Sequence, residues 1–162
     1  MEPLTLYLDL NLYCRTFNDQ TQLRMYREAR AVDIILNRAS RQEYKIYWSY
    51  VLHAENSLNQ NPIERRIVMG QSTFCFCSIL PVNDIRHLAS QIQTLSLISG
   101  YDAEHIACAE LAGCDYLLTG DDRLLRQFNR LKVQRVLSLQ VTLQNPVDFL
   151  RVSLKRTKSH ER

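Results

Sequence analysis

In the stretch "LTLYLDL" (4–10) apolar residues recur at every second position, and the alternation meets a charge, Asp9, where a strand of ordinary length would end. The spacing then lengthens. Leu23, Tyr26, Val32, Ile35 and Leu36 in "QLRMYREARAVDIILNRAS" recur near helical intervals and predict one long helix. "YKIYW" predicts a second strand. Ser49 stands where a hydroxyl would cap a helix "YVLHAENSLNQ", which Asn61 and Pro62 are expected to close. "IERRIVMGQSTFCF" reads as further helix and "CSILPV" as a strand, although "MGQSTFCFCS" fits both patterns. "NDIRHLASQIQTLSLI" predicts a helix opening at an Asn cap and running to Ser99 and Gly100. "DAEHIACAELAG" begins with an acid and ends with Gly113, the order favoured by the helix dipole and by a left-handed C-terminal cap. In "DYLLTGDDRLL" a short strand, Tyr116 to Leu118, breaks at Thr119 and Gly120 into a turn and a helix from about Asp122. A last strand is expected around "VQRVLSL". This repeated switching between the two periods predicts an α/β domain.

Composition sets the scale. The chain has 162 residues, 46% of them hydrophobic, enough for one domain with a real core. No apolar run reaches bilayer-spanning length, and "MEPLTLYLDL" lacks the order of a signal peptide, so the expectation is a soluble cytoplasmic protein with no membrane role. Five cysteines with no CxxC pair read as small buried hydrophobes in a reducing compartment. The net charge of +3 is unevenly placed: Arg151, Lys155, Arg156, Lys158 and Arg162 against Glu161 give the tail +4 and leave residues 1–150 at −1. The predicted organisation is therefore one domain over 1–150 and a basic tail over 151–162. That tail is either an attractor for phosphates or a frayed, solvated end.

The acids carry the chemistry. Asp9 ends the first predicted strand, Asp121 follows "YLLT", Asp102 begins a helix, and Glu55 lies inside the helix after "YKIYW". In an open parallel sheet, strand ends and helix starts gather along one edge, where ligands bind. Carboxylates meeting there would repel one another unless a cation neutralised them, and a hard divalent ion with oxygen ligands, Mg2+ or Mn2+, is the natural partner. Such a centre suits phosphodiester hydrolysis.

"YLDLN", "SYVLHAEN", "GYDAEHIACAE" and "DYLLTGDDRLL", in this order and spacing, resemble the motifs of the PIN-domain nuclease family, and within it the VapC-like ribonucleases of bacterial toxin–antitoxin systems. The motifs run from Leu4 to Leu125, and the likeness extends to the closing "NPVDFL". The resemblance implies a three-layer α/β/α fold with a central parallel sheet, and divalent-metal-dependent cleavage of RNA. It makes Asp9, Glu55, Asp102 and Asp121 the acidic quartet that holds the metal. Asn11 and Thr119 become groups that orient a carboxylate or a water. It also implies a cognate antitoxin that covers the cleft, often with a basic side chain among the acids, and a homodimer.

Each residue also has a plainer reading. Asp102 alone would be a helix-start acid stabilising by roughly 0.3 to 1 kcal/mol. Glu55 would be a solvated helix residue, with Leu52 and Leu58 facing the core. Asp122 is expected to be the helix N-cap, leaving Asp121 as ligand. Asp9 has the weakest plain reading, because an acid after "LTLYL" is costly if buried unpaired. His105, three residues after Asp102 on nearly the same helix face, could contact a phosphate or the leaving group, but is expected to be a solvated surface histidine. Arg15 and Arg123 lie near enough to the cleft to position RNA backbone, or are ordinary exposed arginines. Two other functions stay open at this point: a non-catalytic PIN-like module that binds RNA or protein, and a DNA-directed flap or repair nuclease. A phosphoacceptor receiver domain fits poorly, because it needs paired acids at the first strand and an Asp closing a middle strand.

Overall fold

The computed structural model describes residues 2–159, with side chains through Ser153. Five strands form one parallel sheet in the order β3-β2-β1-β4-β5. They are β1 (Leu4–Leu8), β2 (Tyr44–Ser49), β3 (Cys77–Ile79), β4 (Tyr116–Leu118) and β5 (Thr142–Gln144). The central strand β1 has Leu6 opposite both Ile46 of β2 and Tyr116 of β4. The chain winds outward from β1 through β2 to β3, then returns to the other side of β1 for β4 and β5. The order therefore reverses between β1 and β4, and the crevice beyond their carboxyl ends is where such sheets bind ligands.

Helices flank the sheet: α1 (Leu10–Tyr13), α2 (Leu23–Ser40), α3 (Tyr50–Ser57), α4 (Pro62–Gln71), α5 (Asn83–Leu95), α6 (Gly100–Leu111), α7 (Asp122–Gln134) and α8 (Pro146–Ser159). Side-chain alternation sorts the layers. Tyr44 and Tyr116 share the Leu6 face and pack edge-on against Phe149 of α8, with centroids 5.6 and 5.1 Å away. Tyr7 points to the opposite face and meets His105 of α6. The long run 23–40 is helical as its spacing predicts, with Ala31, Val32, Ile35 and Ala39 buried. Among the described residues no helix is long and apolar enough to cross a membrane.

Several boundaries differ from the sequence reading. α3 stops at Ser57, and Leu58 is exposed rather than in the core. Asn61 and Pro62 open α4 instead of closing α3: the Asn61 side chain accepts from the Ile63 and Glu64 amides, and proline is suited to a first helical turn because its missing N–H would be unpaired there. α5 has Val82, not an asparagine, at its cap position and ends at Leu95. "VQRVLSL" is not a strand. α7 continues through Gln134 because Leu124, Phe128 and Leu131 make a buried helical stripe, while Val133 and Val136 face solvent. Arg135 then takes a left-handed conformation that stops the helix, and β5 forms later, at Thr142–Gln144. α8 runs past residue 150 to Ser159, and the tail side chains beyond Ser153 lie outside the described residues.

Candidate metal centre

Asp9 follows β1 directly, and its amide donates to the Leu118 carbonyl at 2.9 Å, so the β1–β4 pairing fixes its backbone. Asp9 is 5% exposed. Its Oδ2 accepts from Thr119 Oγ1 at 2.7 Å and from Asn11 Nδ2 at 2.7 Å. The same two side chains hold the β4–α7 turn: Asn11 Oδ1 accepts from the Gly120 amide at 3.1 Å, and Thr119 Oγ1 accepts from the Asp121 amide at 3.1 Å. One oxygen of Asp9 is thus fully engaged. The other, Oδ1, lies 3.9 Å from His105 Nε2. Burial raises the Asp9 carboxyl above its ordinary range, against the opposing pull of His105 and Thr119.

Glu55 reaches the same place from α3. Ser49 caps that helix, accepting from the Leu52 amide at 3.1 Å, as its position after β2 predicts. Glu55 Oε2 lies 2.8 Å from His105 Nε2. On the other side of the imidazole, Nδ1 is 2.6 Å from the Tyr7 hydroxyl, which is 2.6 Å from Ser49 Oγ. His105 is 1% exposed, so the expected solvated histidine is instead an interior group. The reason is α6 itself, where Ala103, Ile106, Ala107, Cys108 and Ala109 are all buried. Small residues let that helix sink against the sheet, and the position three after Asp102 then faces Tyr7. Runs of Ala and Cys around the histidine were the available signal. Burial alone would lower the imidazole, but the Glu55 hydrogen bond and the charges of Asp9, Glu55 and Asp102 hold it above its ordinary value.

Asp102, in the first turn of α6, completes the field. Its carboxyl is pushed up to about 6, first by burial, then by Asp9, with further repulsion from Asp121 and Glu55 and relief from His105. Asp9, Glu55 and Asp121 therefore all lie near enough to act on the Asp102 carboxyl.

In the β4–α7 turn the cap expected of Asp122 belongs to Asp121. Asp121 is the N-cap of α7, its Oδ1 accepting from the Arg123 amide at 2.8 Å and the Leu124 amide at 3.1 Å. Asp122 is exposed and makes a two-point ion pair with Arg24, at 2.6 and 2.9 Å, which holds its carboxyl below the ordinary range. The cap belongs to Asp121 because its extended backbone lets the side chain fold back over the helix amides.

Arg15 does not stand free beside the cleft. Its Nε donates to Glu28 Oε2 at 2.6 Å, and its side chain is 14% exposed. Glu28 has no mark in the sequence, yet it is 1% exposed inside α2 and also accepts from Arg24 Nε at 2.9 Å and Asn145 Nδ2 at 2.8 Å. Arg24 in turn donates to the Gly120 carbonyl at 2.7 Å. This buried cluster ties α2 and the β5–α8 loop to the turn that carries Thr119 and Asp121. Arg123 is exposed at the start of α7.

The donor set fits a cation. One ligand atom each from Asp9, Glu55 and His105 lies within 4.8 Å of the others, and Thr119 and Asn11 orient the Asp9 carboxylate as metal sites require.

Fold and crevice together define a PIN-like α/β protein with an acidic centre at the sheet's switch point. No family model matches the sequence, and no curated protein matches it. Solved structures do. A chain of VapBC2 from Rickettsia felis, bound to a DNA fragment from its promoter, superposes with a TM-score of 0.55 at 12% identity, over 88% of this chain and 98% of that one. A chain of FitAB bound to the IR36 DNA fragment superposes with a TM-score of 0.53 at 16% identity, over 88% and 95%. At such identities the likeness establishes the fold, which is the three-layer arrangement that the motif resemblance implied.

Proposed function

We propose that the chain is a divalent-metal-dependent endoribonuclease and the toxin of a toxin–antitoxin pair. The observation that carries this reading is geometric: ligand atoms of Asp9, Glu55 and His105 lie within 4.8 Å of one another beside the switch point, with the Asp9 carboxylate aimed by Thr119 and Asn11. Such crowding raises the free energy of the protein alone and is relieved by a cation. Asp9, Glu55, Asp102 and Asp121 are the proposed ligands, for one or two ions of Mg2+ or Mn2+. When bound, the ion supplies a nucleophilic hydroxide and stabilises charge on the leaving oxygen. Asn11 and Thr119 keep Asp9 aimed. Arg123, exposed in the first turn of α7 two residues after Asp121, is proposed to meet the phosphate backbone.

An antitoxin partner is supported by the fold shared with VapBC2 and FitAB, both solved as complexes on DNA. Leu23 and Tyr26, 59% and 48% exposed on α2, offer apolar surface for such a partner or for a second copy in a homodimer.

The test is cleavage of a labelled RNA panel with matched DNA by wild type and Asp9→Asn, in Mg2+, Mn2+ and EDTA. Metal-dependent RNA cleavage that falls more than about 100-fold in the folded variant is the expected result, given that disturbing even an outer partner of a ligand costs ~10- to 100-fold. Cleavage of DNA alone would overturn the substrate assignment. RNA binding without turnover in any metal would overturn the enzyme.

A further inference from the structure

The proposed quartet is all oxygen, but among the described residues the group whose ligand atoms lie within 4.8 Å of one another is Asp9, Glu55 and a nitrogen, that of His105. We propose that His105 Nε2 is itself a metal ligand, with Asp9 and Glu55, and that it makes the centre prefer a first-row transition ion such as Mn2+ over Mg2+. This rests on the crevice being the metal site described above.

Three observations converge on the imidazole. The first is distance. Ligand atoms at right angles on ~2.1 Å bonds are about 3 Å apart, and Nε2 lies 2.8 Å from Glu55 Oε2 and 3.9 Å from Asp9 Oδ1. A small inward movement of Asp9 Oδ1, the oxygen not held by Thr119 and Asn11, closes the set. The second is orientation. A ligating histidine characteristically donates its other ring N–H to a fixed acceptor, and Tyr7 Oη stands 2.6 Å from Nδ1. The Tyr7 hydroxyl can then donate to Ser49 Oγ at 2.6 Å, so the hydrogen bonds run consistently from Nδ1 to the α3 cap, and an ion that displaces the Nε2 proton now accepted by Glu55 would meet the Nε2 lone pair. The third is burial. His105 is 1% exposed and Asp9 5%, so the ring is locked toward the crevice and not free to turn to solvent.

The chemistry of preference follows from the donor. Mg2+ is held by carboxylates, phosphates and waters, and gains little from imidazole. First-row transition ions accept nitrogen readily. Replacing one carboxylate or water by His105 Nε2 therefore raises affinity for Mn2+ more than for Mg2+.

The test uses the purified full chain. Free Mn2+ is titrated by electron paramagnetic resonance, Mg2+ by competition, and the electron spin-echo modulation of bound Mn2+ is recorded for coupling to 14N. The expected result is a nitrogen coupling in wild type. His105→Gln should lose that coupling and weaken Mn2+ at least tenfold while changing Mg2+ less than about threefold. Tyr7→Phe, which keeps the ligand and removes its acceptor, should retain the coupling and weaken Mn2+ about tenfold. Wild-type Mn2+ bound without nitrogen coupling overturns the histidine ligand and leaves the carboxylate centre standing. No saturable binding of either ion to the wild type overturns both. Because the decisive signal is read on the wild type, a His105→Gln protein that fails to fold does not protect the proposal.

Discussion

Asp102→Asn should make the metal-free protein more stable. The Asp102 carboxyl stands at about 6 in the folded chain against 3.8 for the free group, a gap worth about 3 kcal/mol between its charged and neutral forms. An acid with a raised folded value binds its proton more tightly folded than unfolded, so it destabilises the fold as pH climbs from 3.8 to about 6 and exerts its whole penalty above that. Partial exposure and counterions screen the repulsion, which brings the expected gain to about 1 to 2 kcal/mol at pH 7.5. For a domain of this size that is a rise in melting temperature of about 3 to 6 °C. Among the described residues the Asp102 side chain makes no hydrogen bond that the amide would forfeit. Thermal melts by circular dichroism in EDTA at pH 7.5 and pH 4.5 measure it: the variant should exceed wild type at pH 7.5, and the gap should fall to about a third of that at pH 4.5, where the unfolded carboxyl is still mostly ionised. Added Mn2+ should stabilise wild type and leave the variant nearly unmoved. A variant less stable than wild type in EDTA at pH 7.5 would refute the reasoning, because the carboxylate would then be contributing to the fold and not straining it.

The buried cluster behind the turn makes two further predictions. Glu28→Ala removes the acceptor shared by Arg15, Arg24 and Asn145 and leaves the 14%-exposed Arg15 without its counter-charge. Removing one partner of a buried pair costs about 3 to 5 kcal/mol, measurable as a lower urea midpoint, and a loss under about 1 kcal/mol would show the cluster to be solvated. Gly120→Ala places a methyl against Arg15 Nη2 and 2.8 Å from Glu28 Oε2. That overpacking should cost about 1 to 3 kcal/mol and weaken Mn2+ binding by displacing the turn that holds Thr119 and Asp121, whereas an unchanged midpoint would mean that Arg15 swings clear.

Where the local pattern and the tertiary need agree, the chain is readable. The alternation before Asp9 became β1, "YLL" became β4 over the residues expected, and Gly113 has the positive φ that its place after a helix predicts. These features depend on neighbours in sequence. The residues that went unread depend on neighbours in space. Glu28 sits mid-helix among arginines and looks like one more surface charge, since its partners come from 13 and 117 positions away as well as from the next turn of α2. His105 looked exposed because the residues that bury it are alanines and a cysteine, whose weak hydrophobic signal conceals a helix packed nearly all round. In "GDDR" the two acids are equivalent by composition, and only the position of Arg24 across the turn assigns Asp122 to the ion pair and leaves Asp121 to the cap.

Two kinds of buried charge thus lie on either side of the same turn, and they are managed oppositely. Glu28 meets donors from Arg15, Arg24 and Asn145, so its charge is compensated within the chain. Asp9 and Asp102 face other acids, with a single imidazole in their midst, and remain under-compensated. A fold gains nothing from the second arrangement. The rigidity supplied by the first is what lets it persist: Arg24 grips the Gly120 carbonyl while Asn11 grips the Gly120 amide, so the turn between the two clusters is held from both sides. The stable cluster acts as the anvil for the strained one. Loosening it should therefore weaken ion binding before it unfolds the domain, which makes Mn2+ affinity a more sensitive reporter of Gly120→Ala than the melting temperature.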